Sequence, residues 1–74
     1  MKNNRKIEVG QVRMVNDERD SRFGSLYCIL GQCPITYGKG VTKGGFKIKL
    51  IDGWAEGETT EWPVDIIAED IVVM

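Results

Sequence analysis

The segment Phe46-Lys47-Ile48-Lys49-Leu50 puts an apolar side chain at every second position with a lysine between each pair. Successive side chains of an extended chain point to opposite faces, so this segment reads as a strand with one buried and one solvated face. No stretch repeats apolar residues at helical spacing over three turns, and the chain holds no internal repeat or low-complexity tract. These observations exclude a helical bundle and direct the reading to an all-β domain nearly free of helix.

The rest of the chain supplies partners for that strand. Residues 7–15 are rich in β-branched side chains, and Val12 and Met14 alternate with Gln11 and Arg13, which predicts a first strand. The polar run Asn16 to Arg22, closed by Phe23-Gly24, has the composition of an exposed loop and is a first candidate binding loop. Ser25 to Leu30 is apolar on both faces, as expected of a central strand covered on each side. From Gln32 to Gly45 the glycines at 38, 40, 44 and 45 predict a mobile loop with at most short strands. Asp52-Gly53 is a strong turn dipeptide, and Glu58 to Trp62 has the content of a return strand. Pro63 lacks an N–H and ends that strand; Val64 to Ile67 then forms one helical turn, and Ile71 to Val73 is expected to close the sheet as a fifth strand.

Seventy-four residues suit one small domain. With 42% hydrophobic and 28% charged residues the chain lies well inside the folding regime. Residues 1–6 read as a flexible basic N-terminus and 7–74 as the domain. No stretch approaches the ~20 apolar residues of a membrane span, and no signal core follows the basic start. A cytoplasmic protein without membrane contact is the expectation. Cys28 and Cys33 stand in a C-x4-C spacing and read as free thiols, because small secreted folds are stapled by two to four bridges.

The order of elements resembles the SH3-like barrels of the Tudor and KOW type. The likeness rests on the opening strand Val9-Gly10-Gln11-Val12, the charged loop, the strand Tyr27-Cys28-Ile29-Leu30, the hairpin from Phe46 to Trp62, a short helical turn and a last strand. It spans residues 7–73 and implies a five-stranded barrel with a helical turn before the final strand; such barrels host many functions. Small barrels of this composition are similar to uncharacterised proteins of bacteriophages and mobile elements. The opening strand and loop also resemble toxin endoribonucleases of the MazF and PemK kind, without their longer helical remainder.

Catalysis finds little support. Histidine is absent and no serine or cysteine has a neighbouring candidate base, so no catalytic residue is assigned. The toxin likeness alone would imply Arg13, Arg19 or Arg22 steering a phosphate with Glu18 as base. Gly38 to Gly45 matches neither phosphate-loop pattern. No metal or cofactor is expected, since a zinc site without histidine would need carboxylate ligands.

Charge is the most informative feature. Residues 1–49 hold all ten basic residues with four acids, and residues 50–74 hold seven acids and no base. The leading expectation is a non-catalytic module that binds a protein partner, in the manner of a phage or mobile-element accessory or inhibitory protein, through the acidic hairpin bearing Trp54, Glu56, Glu58, Glu61 and Trp62. Trp54, next to the turn, is expected to be partly exposed. The alternative is nucleic-acid binding by Lys39, Lys43, Lys47 and Lys49, joined by Lys2, Arg5 and Lys6, with Tyr37 stacking on a base. The aromatics Tyr27, Tyr37, Trp54, Trp62, Phe23 and Phe46 offer a cage for a methylated cation, set against the needs of a small core. A third expectation is a homo-oligomer in which oppositely charged halves pair.

Overall fold

A computed structural model describes residues 6–36 and 38–73. Five strands form one antiparallel sheet: β1 (Val12–Met14), β2 (Leu26–Thr36), β3 (Thr42–Asp52), β4 (Thr59–Pro63) and β5 (Ile71–Val72), in the order β4-β3-β2-β1-β5. A five-residue helix, α1 (Val64–Ala68), connects the last two strands.

The sheet is open, which corrects the expected SH3-like barrel. Closure would require β4 to pair with β5, but these strands are the two edges. The physical cause lies at Pro63. Without an N–H it ends β4, and the chain turns into α1, whose Ile67 is fully buried against the sheet. Only two residues remain for β5, and they pair with β1 through Arg13↔Val72 and Met14↔Ile71. The fifth strand thus extends one edge and closes nothing.

Three further expectations change. The first strand is three residues long, because Gly10 at φ +89° turns the chain and the Gln11 N–H donates to the Glu8 carbonyl. The predicted mobile loop of 32–45 is mostly ordered: β2 runs on to Thr36 and β3 starts at Thr42, pairing from Gln32↔Phe46 to Thr36↔Thr42 around a short turn. The central strand β2 is covered on one face only, since Tyr27 and Ile29 are fully buried whereas Leu30 is exposed.

The core lies on one face, where Tyr27, Ile29, Ile48, Leu50 and Trp62 pack with Val15 and with Ile67 from α1. The alternation in β3 holds as expected, with Ile48 and Leu50 buried and Lys47 and Lys49 exposed on the other face. Burying side chains of this size contributes about 1.5–3 kcal/mol each. Gly45 is required at the β3–β4 contact: a Cβ there would lie 2.3 Å from Ile35 Cδ1 and 2.8 Å from the Trp62 carbonyl oxygen.

A polar network completes the core. Arg13, 0% exposed, donates from Nε to Gln11 Oε1 (2.8 Å) and from one terminal nitrogen to the Ile67 and Asp70 carbonyls (2.9 and 3.2 Å). The guanidinium thus adds a second donor to the Ile67 carbonyl, which already accepts the Asp70 N–H, and places a cation at the C-terminal end of α1. Asp70 accepts from the Tyr27 hydroxyl (2.5 Å) and the Asn16 N–H (3.0 Å). Burial raises the Asp70 carboxyl above the usual range, against the opposing pull of these donors and of Arg13. Tyr27 is raised by burial first and by Asp70 second, so its hydroxyl stays a donor. No buried side-chain nitrogen or oxygen among the described residues lacks a partner.

Candidate functional site

The loop of residues 16–24 is shaped by its own aspartates. Asp17 Oδ1 accepts from the Arg19 backbone N–H (3.0 Å) and Asp20 Oδ1 from that of Arg22 (2.8 Å), two short turns capped by side chains. The Asp20 N–H donates to the Asp17 carbonyl and the Phe23 N–H to the Asp20 carbonyl. The loop is therefore a folded element that carries three carboxylates, Asp17, Glu18 and Asp20, and two guanidinium groups, Arg19 and Arg22.

Arg22 is the centre of this element. Its side chain grips Asp20 twice, Nε to Oδ1 at 2.8 Å and a terminal nitrogen to Oδ2 at 2.6 Å. The guanidinium carbon lies 4.9 Å from the Trp62 ring centre and 5.6 Å from that of Trp54. Both distances fall within the ~6 Å at which a cation is attracted to an aromatic face. The paired side-chain bonds, helped by the Arg22 N–H, hold the Asp20 carboxyl down at about 2. Asp17 is lowered too, chiefly by the Arg19 N–H.

Trp54 reaches this position from the β3–β4 turn. Gly53 adopts φ +91° beside Ser25, and Ser25 Oγ accepts the Trp54 N–H at 2.9 Å. The indole is 47% exposed, as its sequence context predicted, whereas Trp62 is only 7% exposed and meets Tyr27 edge-on, with centroids 4.8 Å apart. Trp62 is a buried floor covered by Arg22, and Trp54 is exposed on the far side of that guanidinium.

Between this loop and α1 runs a cleft of about 270 Å³. Val15, Trp62 and Ile66 give it an apolar floor, Asp17 and Asp20 line one side with Arg22, and Asp65, Glu69 and Asp70 line the other. The Asp65 and Glu69 carboxylates take part in no side-chain hydrogen bond or ion pair among the described residues. No three carboxylate or thiol groups among the described residues come close enough together to hold one metal ion. The negative charge is spread along the cleft, an arrangement for several cationic or hydrogen-bonding groups of an extended ligand.

The residues singled out in the sequence fall in different places. Trp54 and Trp62 come together through Arg22, while Glu56 and Glu58 stay exposed on the 53–58 connection. Glu61 is paired with Lys47, on the opposite face from Trp62. Of the lysines, Lys43, Lys47 and Lys49 are exposed on β3 and Lys39 sits at the hairpin turn; Tyr37, Lys2 and Arg5 lie outside the described residues. Among the described residues no aromatic cage forms around an empty centre, because Tyr27 is fully buried and Phe46 packs on the core. Arg13 is inaccessible, which removes it from any phosphate-steering role. Cys28 and Cys33 are free.

Sequence reasoning marked the 16–22 loop and the acidic C-terminal half separately and missed that they face each other. The available signal was Asp17, Asp20 and Arg22 at turn-capping spacing, with Asp65 and Glu69 four apart and thus on one side of a helical turn. Compared with known proteins, the chain matches no protein-family model, no curated protein and no solved structure at a significant level.

Proposed function

We propose that this protein is a non-catalytic binding module whose cleft accepts a lysine- or arginine-bearing segment of a partner protein. One observation carries the reading: a guanidinium already lies over the Trp62 face, with Trp54 at 5.6 Å and Asp20 as its carboxylate partner, beside an open cleft whose Asp65 and Glu69 engage no cation. The same chemistry that holds Arg22 suits an incoming cation, and the apolar floor takes its aliphatic stem. An exposed tryptophan beside clustered carboxylates suits contact with a basic partner, and the negative charge repels nucleic acid from this face. A module of this size suits an accessory or inhibitory role, in which occupying the partner's basic segment is the effect. Free thiols without a disulfide support a reducing compartment, the cytoplasm.

The test is a calorimetric titration with a tetra-arginine peptide and a tetra-glutamate control. Binding of the first alone is expected, weakened at least tenfold by Asp65→Lys with Glu69→Lys. Equal binding by wild type and the double variant would overturn the assignment of the cleft.

A further inference from the structure

On the other face of the sheet, the β2–β3 hairpin forms a second charged element that the cleft does not use. From Arg22 to Ile51 the sequence contains no acidic residue, and Lys39, Lys43, Lys47 and Lys49 all fall within it. The last pairing of β4 with β3 is Gly45↔Pro63, whereas β2 and β3 stay paired out to Thr36↔Thr42. The two-stranded ribbon therefore runs three residue pairs past its last pairing with β4, roughly 10 Å at about 3.3 Å per residue, with Val64 of α1 beside Gly44 and the turn beyond.

These dimensions have a natural counterpart. The major groove of B-form DNA is about 12 Å wide and about 8.5 Å deep and admits a two-stranded β-ribbon. Lys39 stands at the tip and Lys43 on the projecting part of β3, while Lys47 and Lys49 lie nearer the base. Strand alternation puts Lys43, Lys47 and Lys49 on one face, opposite the face that carries Trp62 and the carboxylate cleft. Glycines 38, 40 and 44 leave the projecting part slender; a side-chain carbon at the first two would touch nothing within 4 Å.

We infer that the β2–β3 ribbon docks into the major groove of duplex DNA, with Lys39 and Lys43 entering between the strands and all four lysines, Lys47 and Lys49 included, meeting phosphates. The tip has no arginine, asparagine or glutamine to grip a base edge in a fixed fork, and its lysines act as flexible point charges, so recognition is chiefly by groove shape and phosphate charge. A-form RNA, with its deep and narrow major groove, does not admit the ribbon. Glu61 beside Lys47 tempers the affinity. Four phosphate contacts give a slope of about −3.6 in log affinity against log salt, at about −0.9 per contact.

Fluorescence anisotropy with a labelled 20-base-pair DNA of arbitrary sequence, its RNA duplex counterpart and a single strand tests this at 50 and 200 mM salt. The account expects duplex DNA to bind best, to weaken about 100-fold or more over that range, and to lose at least tenfold affinity in Lys39→Gln with Lys43→Gln. Asp65→Asn with Glu69→Asn is expected to leave DNA affinity within twofold, which separates the ribbon from the cleft. Absence of binding at 50 mM salt, equal or tighter binding of RNA or single strands, or indifference to the two glutamine substitutions would overturn the inference.

Discussion

The two charged regions of this molecule are built in opposite ways. The cleft end is anchored from below by Arg13, Asp70 and Tyr27, which tie β1, β2 and the end of α1 into one buried network. The ribbon end has strand pairing and little else: Val41, Gly38, Gly40 and Gly44 are exposed, and its lysines stand on the surface. The cleft positions its groups before any ligand arrives, whereas the ribbon presents charge on a slender element. Preorganised carboxylates select a matching cation geometry, and a slender cationic ribbon follows a uniform polyanion.

Substitution should break this contrast most visibly at Arg13. Arg13→Met keeps the volume but removes the guanidinium donor to Gln11 and to the Ile67 and Asp70 carbonyls, and the positive charge near a buried carboxyl. Urea denaturation is expected to show a loss of about 3–5 kcal/mol, the usual result of breaking a buried charged network from one side. At the ribbon's base the limit is steric. Gly45→Ala should cost about 1–3 kcal/mol by overpacking against Ile35 and the Trp62 carbonyl. At its tip the sign reverses, since Lys39 holds φ +70°; Lys39→Gly should raise stability by about 0.5–1 kcal/mol in the same assay.

Much of this arrangement was legible in the sequence, and the failures have local causes. Strand alternation at 46–50, the 52–53 turn, the stop at Pro63 and the exposure of Trp54 follow from short-range chemistry. The open sheet did not, because closure depends on whether α1 or a strand fills the space beside β4, a tertiary choice. By its glycine content the ribbon reads as a mobile loop, whereas pairing out to Thr36↔Thr42 supplies the order. Buried Arg13 looked like a solvent-facing strand residue, since its alternation with Val12 and Met14 does not reveal that the end of α1 arrives above it. The cleft joins residues about fifty positions apart, a separation that no local pattern spans.

The smallest expected effect sharpens the picture of the loop. Asp20 titrates at about 2 in the folded protein against 3.8 for an ordinary side chain. A depressed carboxyl contributes stability that is present above the unfolded value and is lost as the pH falls through the folded one. Wild type should therefore exceed Asp20→Asn in stability at pH 7, and the difference should fade between about pH 4 and 2. Asp70, raised by burial, works the other way: its contribution favours the fold at low pH and is lost as the pH rises through its folded value. Thermal unfolding of both proteins across that range reads the Asp20 difference directly.

The claim at the centre of this account is that a basic protein segment enters between the 16–24 loop and α1. Amide and indole chemical-shift mapping during titration with a tetra-arginine peptide tests it most directly. The account predicts that the Trp54 indole and the amides of residues 17–22 and 65–70 shift together and saturably, while those of residues 38–44 stay in place. Shifts confined to the ribbon or to the outer face of the sheet, with Trp54 and the helix unmoved, would contradict it.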